Sequence, residues 1–183
     1  MTKQLSLKPT SLDFAILGLV SHQALSGYGI RKLFETSALG NFSTSPGTIY
    51  PALKRMQQLD LVENRESKID GKKKFFITQK GKQTLKKWLV QPLELSDIAR
   101  RREEVLLRFA FMDVLQSRDQ VTRFLESLRE LLSTYVDQLE DYHKTEYSSM
   151  PLQGRLSFEH GIESYKATLS WCERALTEIL KSN

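Results

Sequence analysis

The sequence predicts a mainly α-helical fold with a small β-hairpin, in which an N-terminal domain (1–90) precedes a C-terminal helical domain (91–183). Apolar residues recur at helical spacing through the first part, where an Asp-Gly turn separates two short extended runs. In the second part, two long runs carry apolar residues in alternating steps of four and three, the pattern of helices that pack along each other. Basic charge is concentrated before Gln91, with 15 Lys and Arg against 6 Asp and Glu.

Two amphipathic runs open the first domain and predict two helices. The first run has its apolar face at Leu12, Ala15, Ile16, Leu19 and Val20, and we expect this helix to be largely buried. The second run follows Ser26 and the segment Gly27-Tyr28-Gly29, and its apolar positions are Ile30, Leu33 and Phe34. Two helices in this order are compatible with a helix-turn-helix unit.

A third helix is predicted to begin at Ser45-Pro46, because serine caps a helix start and proline is tolerated at the first helical position. Its inner face comprises Ile49, Leu53 and Met56, whereas Thr48, Tyr50, Lys54 and Arg55 point in other directions. Pro51 would normally break a helix, and we interpret it as a mark of a functional helix that continues through it. A kinked surface helix of no special function is the alternative.

A hairpin follows this helix. Leu61–Ile69 is predicted as a strand, Asp70-Gly71 as a two-residue turn and Lys72–Ile77 as the returning strand. Consecutive lysines on a strand point to both faces, and a polyanion would relieve their repulsion. A solvated charge run is the alternative. Three helices followed by a basic hairpin is the order of a winged helix, and a further helix is predicted from Lys80 to Leu89.

These features predict that the first domain binds duplex DNA, with the third helix in the major groove and the hairpin on flanking phosphates. The small polar groups and the aromatic ring near the start of that helix would read base edges, and the cations would contact phosphates. The candidate DNA-binding residues are Tyr28, Thr44, Ser45, Gly47, Thr48, Tyr50, Lys54, Arg55, Lys68, Lys72, Lys73 and Lys74.

The segments LDFAILGLVSHQALSGYGI, SPGTIYPALKRMQQLDLV and KKKFFITQKGKQTL resemble the PadR family of bacterial transcriptional regulators. The resemblance covers most of the first ninety residues and implies a winged helix-turn-helix. It equates Tyr50 with the tyrosine of the family's recognition helix, Pro51 to Leu53 with the Pro-Ala-Leu that follows, and Lys72 to Lys74 with the basic wing tip. The second domain is similar in pattern to the family's helical dimerisation region, in the longer form also seen in virulence-gene activators.

Two heptad seams in the second domain predict a homodimer. Ser117 and Gln120 form a capping box at the start of the first long helix. The seam positions are Val121, Leu125, Leu128, Leu132, Tyr135, Leu139 and Tyr142 in one helix, and Phe158, Ile162, Tyr165, Leu169, Cys172, Leu176 and Ile179 in the other. Phe124 and Leu131 broaden the first seam, so we expect helices of two chains to share one core. A monomeric antiparallel helical hairpin is the alternative.

Nothing in the sequence predicts an enzyme, a cofactor or a metal. The lone Cys172 falls on a heptad seam, where packing is the expected role, and the three histidines, His22, His143 and His160, lie in separate segments without ligand-like spacing. Hydrophobic residues make up 40% of the chain, with no apolar run long enough for a bilayer and no signal peptide. We therefore expect a cytoplasmic, nucleoid-associated protein.

An effector site is predicted where aromatic residues collect near the domain boundary. Trp88 ends the fourth helix, and Phe109 and Phe111 belong to a helix predicted from about Arg101 to Leu115. A small aromatic ligand could stack there, and ligand response is common in the resembled family, although simple packing is the alternative. The predicted function is a homodimeric repressor that reads a pseudo-palindromic operator under effector control. The alternative is a winged-helix module that binds protein without reading DNA.

Overall fold

The computed structural model describes residues 8–37 and 46–181, and the chain divides into two compact units, Met1–Leu89 and Val90–Asn183. This division lies one residue from the predicted boundary. The roles assigned to the two domains remain predictions. Across the two described ranges, no helix combines the length and apolar character needed to cross a membrane.

The N-terminal unit contains α1 (Ser11–His22), α2 (Gly27–Thr36), α3 (Pro46–Gln58), β1 (Val62–Glu66), β2 (Lys73–Ile77) and α4 (Gln79–Leu89). This is the predicted order of three helices, a hairpin and a further helix, so the predicted winged-helix fold class is confirmed. Helix α1 packs against α3, α4 and β2, and α2 packs against α3. The core is apolar, and its fully buried side chains include Ile16, Leu17, Ile30, Phe34, Ile49, Leu53, Met56, Leu85 and Leu89.

The hairpin pairs its strands antiparallel, with Val62 opposite Ile77 and Glu66 opposite Lys73. A bridge between Leu25 and Phe75 adds a third short segment beside β2. The predicted two-residue turn at Asp70-Gly71 is wrong. Instead, Ser67 donates its backbone N–H to the carbonyl of Lys72 at 2.9 Å, which closes a longer loop over residues 68–71.

The C-terminal unit contains α5 (Leu95–Ala110), a short 3₁₀ helix (Met112–Leu115), α6 (Arg118–Glu146) and α7 (Leu152–Lys181). The helix predicted from Arg101 to Leu115 therefore begins earlier and ends sooner. Arg101 has non-helical dihedral angles, φ −136° and ψ 31°, so α5 is kinked at the residue where the predicted helix starts. Ser117 caps α6 as predicted, accepting a hydrogen bond from the N–H of Gln120 at 3.4 Å.

Helices α6 and α7 pack antiparallel through the two predicted seams. Tyr135 meets Tyr165 edge to face with ring centroids 4.9 Å apart, and Tyr142 lies 5.5 Å from Phe158. Buried seam residues of this pair include Leu125, Leu128, Leu132, Ile162, Cys172 and Leu176. The seams are thus already occupied within a single chain. A charged residue at Leu128 or Leu132 would first disrupt this intramolecular pair, and a dimerisation role for the seam remains a prediction.

Candidate nucleic-acid interface

Helix α3 continues through Pro51, as predicted, and buries Ile49, Ala52, Leu53 and Met56. Its opposite side exposes four of the candidate residues, which are Gly47, Thr48, Tyr50 and Lys54. Two further candidates at the start of this segment, Thr44 and Ser45, lie outside the described residues. The exposed part of α3 therefore presents a hydroxyl, a phenol and an ammonium group, which can donate hydrogen bonds to base edges or phosphates.

The ring of Tyr50 lies against the first turn of α2. A Cβ atom added to Gly27 would be 2.8 Å from Cε1 of Tyr50, so only glycine leaves room for the ring in this position. The ring nevertheless remains 48% exposed. Sequence reasoning did not identify Gly27, because the spacing of Gly27-Tyr28-Gly29 does not reveal which distant side chain approaches it.

Tyr28 is the most exposed tyrosine among the described residues, at 60%, and it follows Gly27 directly. The guanidinium of Arg31 lies 5.3 Å from the centre of its ring, and Arg31 also pairs with Glu35 on the next turn of α2. Tyr28 and Tyr50 therefore both present aromatic rings to solvent. Gly27 is next to both, because it precedes Tyr28 in the chain and the ring of Tyr50 lies against it.

Arg55 is engaged in an ion pair within the N-terminal unit, and its DNA-binding role remains a prediction. Its guanidinium donates to both carboxylate oxygens of the fully buried Asp13, with Nη2 to Oδ1 at 2.6 Å and Nε to Oδ2 at 3.2 Å. Asp13 also accepts hydrogen bonds from the backbone N–H and the hydroxyl of Thr10 at the start of α1. The helical spacing correctly places Arg55 away from the apolar face of α3. Its guanidinium group is bonded to the Asp13 carboxylate of α1.

The wing comprises β1, β2 and the loop over residues 67–72, and it contains four lysines. The three consecutive ones are not equivalent. Lys72 and Lys73 are exposed, whereas Lys74 pairs with Asp70 at 2.7 Å. The hydrogen bond from Lys74 is the main reason that the pKa of Asp70 is lowered to about 2, so this carboxylate is ionised at neutral pH. Lys68, another candidate residue, is exposed in the same loop. The ammonium group of Lys74 stabilises the loop through this ion pair, and its predicted DNA contact remains a prediction.

The predicted effector residues do not share one environment. Trp88 is 4% exposed and stacks on Phe14 inside the N-terminal unit, with ring centroids 4.4 Å apart and planes 2° from parallel. Phe111 is buried in the C-terminal unit. Both residues are packed inside their own units, as the alternative of simple packing anticipates, and their effector roles remain predictions.

Phe109 lines a groove of about 590 Å³ within the C-terminal unit. Its ring meets that of Trp171 edge to face at 5.2 Å. The remaining lining residues are Leu106, Ala110, Ser164, Ala167 and Thr168. The groove is apolar with two hydroxyl groups, a composition suited to a small aromatic molecule. Trp171 was absent from the predicted set because that set comprised aromatic residues near the domain boundary, from which Trp171 is distant in sequence.

Cys172 has the packing role predicted from its seam position. Burial raises the pKa of the thiol to about 11, and Sγ donates to the carbonyl of Leu125 at 3.3 Å. A protonated, buried thiol is a poor nucleophile. Within the part of the chain that the structure describes, no three or more His, Cys, Asp or Glu residues are arranged to hold a metal ion.

Two family models match the chain, one in each unit. The first is the transcriptional regulator PadR-like family, which matches residues 16–87, and the second is the virulence activator alpha C-term family, which matches residues 101–179. The matched ranges cover α1 to α4 and most of α5 to α7, respectively.

Two relatives similar to this chain are named as transcriptional regulators. The negative transcriptional regulator PadR of Bacillus subtilis (strain 168) is 30% identical over 182 residues, with 93% of this chain and 98% of that protein covered. The transcriptional regulator YqjI of Escherichia coli (strain K12) is 31% identical over 127 residues, which cover 69% of this chain and 58% of that protein. The crystal structure of Bacillus subtilis PadR in complex with operator DNA is 27% identical, covers 93% of this chain and 99% of that chain, and has a TM-score of 0.41.

Proposed function

This chain belongs to the PadR-like family of transcriptional regulators, and on that premise we propose that it represses transcription as a homodimer that binds a pseudo-palindromic operator. Membership confirms the predicted family and the prediction that the chain is a regulator and not an enzyme. Repression is proposed because the relative that matches nearly the full chain is named a negative regulator. The proposed place of action is the cytoplasm, on nucleoid DNA.

One observation carries the DNA-binding proposal. Within a single unit, α3 exposes Thr48 and Tyr50 while the adjacent wing exposes Lys72 and Lys73. The first pair can read base edges and the second can neutralise phosphates, so the unit has both parts of a sequence-specific interface. Net charge supports this proposal, because residues 1–90 carry +9 and residues 91–183 carry −4.

Selection of duplex fragments from a random pool by the purified full chain tests the proposal. We expect one enriched motif with two inverted half-sites, because a symmetric dimer presents two identical reading heads. Enrichment of no motif, together with equally weak binding to every duplex at low salt, would instead favour the protein-binding alternative. The enriched sequence then serves as the cognate duplex in the measurements below.

Replacing Lys72 and Lys73 together by Ala is expected to weaken the cognate and a random duplex alike. Removing the ammonium group from one phosphate should reduce the slope of log K against log salt by about 0.9 in each subunit. Titrations by fluorescence anisotropy at several salt concentrations measure the slope. Lys144→Ala, an exposed lysine of the C-terminal unit, is the matched control and should leave the slope unchanged. An unchanged slope in the double variant would show that these lysines are merely solvated.

Replacing Thr48 and Tyr50 together by Ala should lower the specificity ratio. For each interaction with a base edge that the change removes, binding to the cognate duplex should weaken by about 1 to 3 kcal/mol, and binding to random duplex should weaken less. Gly27→Ala is a companion variant, because its Cβ would come within 2.8 Å of Tyr50 Cε1 and displace the ring together with its hydroxyl, without removing any group from Tyr50. Equal losses of affinity on both duplexes, at unchanged melting temperature, would contradict base reading by this part of α3.

The homodimer is proposed from the size of α6 and α7 and from the apolar side chains that they leave exposed. Leu152, Leu156 and Leu180 are each more than half exposed on α7. Sedimentation equilibrium of the full chain should give twice the monomer mass, and a fragment ending at Val90 should remain monomeric. A full chain that stays monomeric at tens of micromolar would contradict the dimer.

The effector is proposed to be a small aromatic molecule in the groove that Phe109 and Trp171 line. Of the three predicted effector residues, Phe109 lines this groove, whereas Trp88 and Phe111 are buried elsewhere. Trp171 supplies the measurement, because it is half-buried at the groove and its fluorescence should change when a ring stacks on it. A Trp88→Phe background leaves Trp171 as the single tryptophan.

A further inference from the structure

Arg108 of α5 places a cation in the interior of the C-terminal unit. The residue is 5% exposed, and its burial lowers the pKa of the guanidinium, an effect that the carboxylates of Asp97 and Glu104 oppose. An arginine stays protonated in proteins. Because a buried charge is costly unless it is paired and hydrogen-bonded, the groups that Arg108 contacts account for its position.

The guanidinium holds the connecting segment, which is the stretch of residues 90–94 between α4 and α5. Nη2 of Arg108 donates a hydrogen bond to the carbonyl of Gln91. Gln91 and Pro92 are exposed, and Pro92 has no N–H with which to join a backbone hydrogen bond. The bond from Arg108 therefore fixes onto α5 a stretch of chain that lies at the surface.

A row of aromatic rings leads from Arg108 to the groove in the same unit. The guanidinium carbon lies 5.3 Å from the centre of the Phe124 ring. Phe124 stacks on Phe109, with ring centroids 6.4 Å apart and planes 20° from parallel. Phe109 meets Trp171 edge to face, and both rings line the groove. A movement of Phe109 therefore reaches Arg108 through the ring of Phe124 and through the backbone of α5.

We propose that Arg108 is a positioning residue that couples the groove to the connecting segment, an inference that rests on the proposed function. With no ring in the groove, Phe109 and Phe124 hold the guanidinium against the Gln91 carbonyl. A ring stacked on Phe109 shifts Phe124 and withdraws the guanidinium, because packed side chains change between discrete arrangements. The connecting segment is then released, and two reading heads on loosened connections bind an operator of two half-sites more weakly.

A ring attached inside the groove tests the coupling. Ala167 of α7 and Ala110 of α5 both line the groove and are exposed, so a cysteine at either position offers a thiol to benzyl methanethiosulfonate. The buried Cys172, whose thiol has a pKa of about 11, should not react. Methyl methanethiosulfonate forms the same disulfide without a ring and provides the matched control for each adduct.

Hydrogen exchange of the backbone amides in the connecting segment is the first readout, and it needs no DNA. The benzyl adducts should raise exchange there by about tenfold over the methyl adducts, because the segment opens more often. Arg108→Met should raise exchange without an adduct, and a benzyl adduct should then add nothing. Unchanged exchange in both benzyl adducts would overturn the coupling.

Two further variants separate the coupling from a merely structural role. Phe124→Leu removes the ring between the groove and Arg108 but keeps the donor to Gln91, so the benzyl adducts should no longer raise exchange. Arg118→Met removes a different arginine bond to a backbone carbonyl, that of Leu180, and should leave the adduct effect intact. An adduct effect that survives Phe124→Leu would overturn the proposed route through this ring.

Affinity for the selected operator is the second readout. The benzyl adducts should weaken binding to the duplex with two half-sites by about tenfold, and binding to a single half-site by less than about twofold, because each reading head is unchanged. If the chain selects no duplex while exchange still rises, the proposed function fails and the coupling to the segment stands. If exchange rises while affinity for the two half-sites is unchanged, the link from the segment to DNA binding is overturned.

Discussion

Gly81→Ala is expected to destabilise the N-terminal unit by about 3 kcal/mol or more. Gly81 lies in the first turn of α4, and a Cβ atom there would be 2.1 Å from the carbonyl oxygen of Leu61 and 2.9 Å from Cγ1 of Ile77. The first of these atoms belongs to the backbone and cannot rotate away. Helix α4 must then move off the hairpin, and overpacking of this kind typically costs about 1 to 3 kcal/mol even where side chains can adjust.

Denaturant unfolding followed through Trp88 measures the effect, because this tryptophan is buried against Phe14 in the same unit. A Trp171→Phe background removes the other tryptophan. Gly161→Ala in α7 is the matched control, followed through Trp171 of the same unit in a Trp88→Phe background. Nothing lies within 4 Å of its added Cβ, and helix propensity should make it neutral or stabilising by up to about 1 kcal/mol. If Gly81→Ala lowers the free energy of unfolding no more than Gly161→Ala does, the close approach of Gly81 to the Leu61 carbonyl is contradicted.

The sequence could not reveal the role of Gly81. A glycine in a helical pattern indicates only a locally weak helix, because propensity concerns the residue and its immediate neighbours. The carbonyl of Leu61 that excludes a side chain lies twenty positions earlier. Helix α4 itself was predicted within one residue, since it is defined by local periodicity.

The wing shows the same division between local and distant information. Its strands follow from alternating residues near an Asp-Gly pair, and both strands were predicted within a few residues. The turn was predicted too short because Ser67, which closes the longer loop, lies inside the run that was predicted as the first strand. Lys74 differs from Lys72 and Lys73 because Asp70 lies on its side of the hairpin and pairs with it. The amino-acid composition does not contain that information.

Heptad spacing in α6 and α7 specifies a packed seam without specifying the partner. The same steps of four and three serve a seam within one chain or between two chains. In the structure, Leu125 and Cys172 meet within one chain, and the predicted seam positions are buried or half-buried except Tyr142, which is 54% exposed. The dimer depends on the remaining exposed surface, which periodicity describes poorly.

Separating Asp13 from Arg55 is the other change with a large expected effect. Helical spacing places Arg55 among the outward residues of α3, yet its partner precedes it by 42 positions. Asp13 is fully buried, and it receives two hydrogen bonds from Thr10 as well as two from Arg55. The pair therefore joins the capped start of α1 to the helix that carries Thr48 and Tyr50.

Arg55→Met should destabilise the N-terminal unit by about 3 kcal/mol, because it leaves a buried carboxylate with only the Thr10 donors. Asp13→Ala should destabilise the unit by a similar amount. The loss of the α1 cap increases this effect. The access of Arg55 to water reduces it, because that side chain is 26% exposed. The double variant should be more stable than the sum of the two single changes predicts, by up to about 3 kcal/mol, because no charge remains unpaired.

Glu63→Gln is the matched control for this cycle. Glu63 pairs with Arg65 at 2.8 Å on the hairpin, but both side chains are about half exposed, and such pairs contribute about 0 to 1 kcal/mol. Unfolding followed through Trp88 measures all four variants in the Trp171→Phe background. Strictly additive losses of stability would show that Asp13 and Arg55 stabilise the fold independently. Coupled losses would instead establish that this ion pair fixes α3 to α1. In that case Arg55→Met should weaken binding to cognate and random DNA equally, because it loosens the reading helix without removing a group that touches a base.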